Sequence, residues 1–185
     1  MEWLTPALEE YKTIRDESLG SMNSQQTTLK VGIGTVGVVI ASGFNVWEKN
    51  LLPDLIFLIF NPIICYLTLL IWLGEVARMM RAGHFLAILE KRISAKFTEY
   101  VDVLSWENWI RTKDSIGRNR KRTFSYIAIM ILFFFTALSS IMIGAYRICD
   151  KVDFRLWVSI MSIELLVFIS ILLFIWMEAK EIREL

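Results

Sequence analysis

The chain has few of the residues from which catalytic and metal centres are built. It contains one histidine, His84, and only two cysteines, Cys65 and Cys149, in 185 residues. No H-E-x-x-H, P-loop, G-x-S-x-G or paired-cysteine motif occurs. An enzyme is therefore the least supported class of protein, and no cofactor, metal site or disulfide framework is expected.

Charge is absent from long stretches of a chain that is 55% hydrophobic. Three stretches of 17, 20 and 24 residues carry no Asp, Glu, Lys or Arg, and a fourth of 22 residues carries only Glu164. At 1.5 Å per residue the three longer stretches reach ~30 Å or more, enough to cross a bilayer core as a helix, while the first, at ~26 Å, meets the length criterion only marginally. The sequence therefore predicts an all-α membrane protein with four transmembrane helices and helical extensions. The stretches are 31–47, 55–74, 123–146 and 156–177.

Basic residues indicate how these helices are oriented. The N-terminal segment, the long middle connection and the C-terminal tail together hold 16 of the 20 Lys and Arg residues. Because such residues collect on the cytoplasmic side, both termini are expected there, and the absence of a short basic segment with a cleavage site argues against a signal peptide. The predicted parts are a cytoplasmic amphipathic helix 1–28, spans 29–48 and 52–75, a cytoplasmic helical connection 76–122, spans 123–146 and 155–177, and a cytoplasmic tail 178–185.

Two segments outside the spans have helical periodicity. In the first, residues recur at spacings of three and four and predict an amphipathic helix that could continue from about residue 6 to 47. These residues are Leu4, Leu8, Tyr11, Arg15, Leu19 and Met22. In the second, an apolar stripe of Phe85, Leu86, Leu89 and Ile93 is expected opposite polar residues such as Glu90 and Lys91. This helix could pack on the first, lie on the membrane or mediate oligomerisation.

Glycines in the first span match the dinucleotide-binding pattern G-x-G-x-x-G at residues 32–37. No strand precedes the match and it lies inside an apolar run, so the match does not indicate a nucleotide site. Gly34, Gly37 and Ala41 fall on one helical face, and their small size favours close helix packing.

A layer of polar residues is expected inside the membrane. A carboxylate such as Glu164 costs roughly 2.5–3.5 kcal/mol to place in hydrocarbon on insertion scales. Counted from the outer ends of their spans, Glu164 and Asn61 each lie at a depth of roughly 14 Å. Thr136, Ser139 and Ser140 lie at a similar depth, and Asn61-Pro62 predicts a kink because proline lacks a backbone donor.

Two interpretations of this layer remain open at the level of sequence. In one, Glu164 is protonated or hydrogen-bonded within a single four-helix bundle, for example to Asn61 or Ser140. In the other, several copies of the chain bring their Glu164 carboxylates around a shared axis, where an acidic ring would attract cations.

A cluster of basic side chains precedes the third span. Arg118, Arg120, Lys121 and Arg122 are first a signal for the cytoplasmic side of the membrane. They are also candidates for binding anionic lipid headgroups or a phosphate-bearing ligand.

Several motifs resemble those of small bacterial four-span membrane proteins, among them the membrane effector of the Hailong anti-phage defence system. The motifs are Tyr11-x-x-x-Arg15-x-Glu17, Gln25-Gln26, Phe44-x-x-Trp47, Trp72-Leu73-Gly74-Glu75-Val76-Ala77-Arg78-Met79-Met80-Arg81-Ala82-Gly83 and Trp106-Glu107-x-Trp109-x-Arg111. The resemblance implies a homo-oligomeric ion channel in the bacterial inner membrane whose opening depolarises the cell. It further implies control by a nucleotide or single-stranded oligonucleotide that a partner nucleotidyltransferase makes.

Three functions follow from these features. The first is a cation-permeable channel, with a tetramer favoured, in which Glu164, Asn61, Thr136, Ser139 and Ser140 line the ion path and the basic cluster attracts the ligand. The second is a non-conducting membrane scaffold that recruits a cytoplasmic partner. The third is a small proton-coupled transporter with Glu164 as its proton site, although the absence of internal repeats counts against it.

Overall fold

Four long helices make up the chain. The structure, a computed structural model, describes residues 4–48, 51–96, 116–149 and 151–184, with side chains in 4–48, 51–96, 124–149 and 151–177. Within those ranges the regular structure is entirely helical, and all four helices are long and apolar enough to cross a membrane. The predicted all-α chain with four candidate spans is confirmed to that extent. The helices are α1 Leu4–Asn45, α2 Leu52–Ser94, α3 Ile116–Ile148 and α4 Phe154–Glu184.

Helices α1 and α2 are much longer than a bilayer is thick. They contain 42 and 43 residues, which at 1.5 Å per residue gives about 63–65 Å, twice the ~30 Å hydrocarbon core. The sequence allowed a single first helix, and α1 is indeed continuous through Gly20 and the polar stretch after it. We call the charged parts of the two helices, residues 4–28 of α1 and 75–96 of α2, the collar.

The two long helices run antiparallel and touch along most of their length. For contacts nearer the C-terminus of α1, the contacting residue of α2 lies nearer the N-terminus of α2 by nearly the same number of residues. From the collar inwards the contacts are Tyr11 with Glu90, Gln25 with Glu75, Gly32 with Thr68 and Gly43 with Phe57. This register sets which residues of α1 and α2 lie at the same level along the bundle.

The face of α1 that meets α2 consists mostly of small residues, with polar ones in the collar. Its buried residues are Ser21, Gln25, Gly32, Val36 and Gly43. Leu19 and Met22, members of the predicted amphipathic pattern, are 48% and 46% exposed, and Leu8 is exposed as well. The apolar residues of that pattern therefore do not form the contact with α2, where small side chains let α1 approach closely.

Helix α2 changes its winding just before Pro62. An α-helical turn over Leu52–Leu55 is followed by a π-helical turn over Ile56–Phe60, and α-helix resumes at Asn61. The Asn61 N–H donates to the carbonyl of Ile56, five residues back. In the same five-residue pattern the next N–H would donate to the carbonyl of Phe57, but the next residue is Pro62, which has no N–H. The distortion expected at Asn61-Pro62 is therefore a π turn.

Helices α3 and α4 extend the antiparallel arrangement. Tyr126 and Phe134 of α3 place their rings 5.5 and 6.4 Å from those of Trp72 and Tyr66 on α2. Phe134 also meets Phe168 of α4 at 5.4 Å. Helix α4 is held loosely, since none of its described side chains is buried, whereas α2 supplies most of the core.

We predict opposite effects for alanine at two neighbouring glycines of α1. A Cβ at Gly32 would overlap the Thr68 side chain, while a Cβ at Gly34 would meet no atom within 4 Å. Gly32→Ala should therefore lower the free energy of unfolding by about 1–3 kcal/mol through overpacking. Gly34→Ala should raise it by about 0.5–1 kcal/mol through helix propensity when the chain is monomeric. Unfolding in mixed detergent micelles measures both, and equal effects would contradict the close approach at Gly32.

Candidate functional site

The packing contacts place Glu164 at the same level as Asn61. Trp157 of α4 donates its indole N–H to the Ala145 carbonyl of α3 at 3.2 Å, and Phe168 meets Phe134 further along. Between these two contacts, Glu164 is level with residue 138 of α3. Ser140 of α3 in turn contacts Phe57, one turn from Asn61. The shared depth that the sequence indicated therefore also follows from the observed register.

Glu164 faces the other helices rather than away from them. The half-buried residues of α4 recur every three or four positions, and Glu164 belongs to that stripe between Met161 and Phe168. Its carboxylate lies within electrostatic range of Tyr66. Among the described residues it forms no hydrogen bond and no ion pair. The carboxyl group thus lies at the edge of the bundle without a partner in the described part of the chain.

Two further polar groups in this layer are buried without a partner. Asn61 is 0% exposed, and neither its amide nitrogen nor its amide oxygen is hydrogen-bonded within the described part of the chain. The Tyr66 hydroxyl is also buried and unpaired. An unsatisfied buried polar group costs about 1–3 kcal/mol. Groups that carry this cost without an evident packing reason are candidates for a role in function.

The three predicted hydroxyl side chains of α3 differ in their burial and in their hydrogen bonds. Ser140 is buried and donates to the Phe57 carbonyl at 2.8 Å, so it satisfies the backbone group that Pro62 leaves unpaired. Thr136 donates to its own helix at the Leu132 carbonyl. Ser139 is only half-buried. Ser140 therefore acts first on the backbone of α2, and neither Ser140 nor Asn61 is bonded to Glu164.

A buried ion-pair cluster closes the end of the bundle that carries the two short loops. Asp54 has only 3% of its side chain exposed and accepts bonds from Arg147 Nε at 2.8 Å and Lys151 Nζ at 2.6 Å. The Arg147 guanidinium also lies 4.1 Å from the centre of the Trp47 ring. The cluster joins the ends of α1, α2 and α3. Sequence reasoning missed it, although opposite charges that flank two antiparallel spans were a usable signal.

The collar contains a second buried carboxylate. Glu90, expected on the polar side of its helix, is 0% exposed and accepts a hydrogen bond from the Tyr11 hydroxyl at 3.1 Å. Gln25 donates from its amide to the Glu75 carbonyl at 3.3 Å. The expectation for Glu90 was wrong because α1 covers that face of α2. Polar contacts thus hold the collar helices in register.

Other predicted residues lie elsewhere or outside the described part of the chain. Residues 118–122 fall in the first turns of α3, but the side chains of Arg118, Arg120, Lys121 and Arg122 are outside the described residues, as is the segment 106–111. Gly34, Gly37 and Ala41 are exposed, whereas Gly32, Gly43 and Gly144 are among the glycines that pack closely within the described part of the chain. Packing at the first three stays a prediction for contact with another molecule.

Comparisons with protein-family models, curated proteins and solved structures return no match. Within the described ranges, no group of three or more His, Cys, Asp or Glu side chains could hold a metal ion.

We predict that Asp54 is required for the stability of the loop end. Asp54→Asn would leave the Arg147 guanidinium largely buried without its counter-charge, and breaking such a pair costs about 3 kcal/mol. Asp153→Asn is the matched control, because Asp153 is an exposed acid in the neighbouring loop. The free energy of unfolding in detergent measures both variants. An equal, small effect of the two would show that the Asp54 cluster contributes little.

Proposed function

We propose that this chain is the subunit of a homo-oligomeric, cation-permeable channel in the bacterial inner membrane, with its termini and collar in the cytoplasm. The observation that carries the proposal is the partly exposed Glu164 carboxylate, which lacks an ion pair and a hydrogen bond among the described residues. A carboxylate is retained at such depth, despite its cost, where it serves an ion pathway or a proton site.

Electrostatics favour a conducting role for such a carboxylate. Two unit charges 5 Å apart interact by about 3 kcal/mol at an effective dielectric constant of 20. Several copies of Glu164 around one axis would therefore concentrate cations in a narrow, water-filled path. Four spans cannot easily enclose such a path within one chain, so the proposal requires an oligomer. Asn61 and Tyr66 are buried within one chain, level with or within two turns of Glu164, so they would lie behind the lining of that path rather than line it.

The biological setting of the channel rests on the motif resemblance. The stretch 72–83 and the pairs Gln25-Gln26 and Tyr11/Arg15 support a membrane effector of an anti-phage system, opened or closed by a nucleotide or single-stranded oligonucleotide. The exposed side of α2 in the collar offers basic groups of the kind that bind phosphate. These are Arg78, Arg81, Lys91 and Arg92. The side chains of residues 118–122 would add to this charge.

Replacing Glu164 with glutamine should lower cation selectivity. We expect Glu164→Gln to reduce the ratio of cation to anion permeability by roughly tenfold, which corresponds to ~1.4 kcal/mol of lost attraction. Reversal potentials of the purified protein in planar bilayers under a salt gradient measure this ratio. Ser162→Ala is the control, since Ser162 lies on the exposed side of the same helix and bonds only to its own backbone at Val158.

The bilayer recordings also test the other two functions. Absence of conductance, with and without short oligonucleotides, would remove the channel and favour a scaffold. Proton uptake by vesicles without ionic current would favour a proton-coupled transporter. Unchanged selectivity in Glu164→Gln would place this carboxylate away from the ion path.

Asn61 provides a test that separates stability from conduction. Because its amide is buried and unpaired, Asn61→Leu should raise the free energy of unfolding by about 1 kcal/mol as the desolvation cost is removed. The same change should reduce single-channel conductance, since an apolar group replaces a polar one near Glu164. Detergent unfolding and single-channel recording measure the two effects. A stabilised variant with normal conductance would assign Asn61 a structural role only.

A further inference from the structure

Both long helices keep a continuous exposed face along their whole length. The exposed face of α1 carries Leu8, Leu19, Gly37 and Ala41, which at ~100° per residue fall within about a third of the helix circumference. The exposed face of α2 is a narrow stripe with a residue every three or four positions. Its members are Ile63, Leu67, Ile71, Gly74, Arg78, Arg81, Phe85, Ile88 and Arg92. Each face extends from the apolar span into the collar.

Within the spans the two faces have complementary shapes. On α1, Gly34 and Gly37 have no atom within 4 Å of an added Cβ, so the face is a shallow groove. On α2, Ile63 and Leu67 are 47% and 52% exposed and project as ridges. Small residues on one helix and large residues on the other are the pattern of close helix packing in membranes.

The antiparallel register places the groove and the ridges at equal levels. Within one chain Gly32 is level with Thr68 and Gly43 with Phe57, so Gly37 is level with Ile63. A rotation about an axis perpendicular to the membrane moves a second copy sideways without changing the level of any residue. In any ring with such an axis, Gly37 of one copy therefore lies at the same level as Ile63 of the neighbouring copy.

Charge on the two faces is complementary in sum where they enter the collar. Glu9 and Asp16 are exposed beside the apolar residues of α1, with the exposed Lys12 between them, while Arg81 and Arg92 are exposed on α2. Since Tyr11 is level with Glu90, Glu9 is level with Arg92, and Asp16 lies within one helical turn of the level of Arg81. The exposed Leu19 lies at the level of Arg81. The aliphatic part of the Arg81 side chain of a neighbouring copy could therefore cover Leu19.

We propose that α1 of one copy of this chain packs against α2 of the next, from the collar through the membrane, and that this contact closes a ring. The two surfaces differ, so the contact is heterologous, and repeating it generates a cyclic assembly. The contact supplies the oligomer that the proposed channel needs and in that sense rests on the proposed function. It also accounts for Gly34 and Gly37, which pack against nothing within one chain.

Disulfide cross-linking between two differently tagged copies tests the contact. Full-length Leu19→Cys and Arg81→Cys chains, each with the exposed Cys149 changed to Ser, are co-expressed and oxidised in membranes. Cross-linked heterodimers are expected, and because each chain carries one new cysteine, a link within a chain cannot produce them. Pairing Leu19→Cys with Arg92→Cys should give far less product, since 11 residues separate the levels by ~16 Å.

The alternative arrangements produce different products. Homodimers of Leu19→Cys alone would indicate that α1 packs on α1 and would overturn the proposal, as would equal yields for the Arg81 and Arg92 pairs. A cross-linked heterodimer without ionic current in bilayers would support the contact and argue against the channel function. Ionic current without the heterodimer would argue against the contact and support the channel function.

A substitution that fills the groove provides an independent test. Gly37→Leu should shift the protein from oligomer to monomer in light scattering in detergent, with unchanged helicity, because this position touches nothing within the chain. Thr35→Leu adds bulk to an exposed position on the far side of α1 and should leave the oligomer intact. An intact Gly37→Leu oligomer would overturn the proposal.

Discussion

Pro62 leaves the carbonyl of Phe57 without a backbone donor, and the arrangement of α2 and α3 depends on how that carbonyl is paired. The π turn moves the hydrogen bonds of α2 by one residue, and Ser140 of α3 donates to Phe57. An unpaired carbonyl in an apolar surrounding would cost several kcal/mol. The bond therefore favours one register of α3 on α2, in which Arg147 reaches Asp54.

The same register separates polar groups that are paired from those that are not. At the loop end, Asp54 is neutralised by two cations, and in the collar Glu90 accepts a bond from Tyr11. Between them, Asn61, Tyr66 and Glu164 have no hydrogen-bond partner in the described part of the chain. Stability accounts for the pairs at the two ends, although the collar also holds one buried hydroxyl, that of Ser21, without a hydrogen-bond partner among the described residues. The proposed ion pathway rests on the unpaired groups of the middle layer.

Periodicity predicted helices more reliably than it predicted their contacts. The uncharged stretches were sufficient to predict four apolar helices, and the depth of Glu164 could be matched to Asn61 by counting residues. The periodicity of α1 did not identify its contact with α2, because Leu19 and Met22 have helical spacing but are exposed, whereas Ser21 and Gln25 are buried.

What the sequence by itself determined is the set of apolar helices and the polar residues they carry, since chain length and uncharged runs decide what can lie in a bilayer. Only the tertiary structure decided the partners of those residues. Asp54 pairs with Arg147, 93 positions away in the sequence. Helix α1 covers Glu90, and the Thr68 side chain packs against Gly32 rather than Gly34. These outcomes depend on the rotation and register of each helix against α2, which are set by close packing between side chains far apart in the chain.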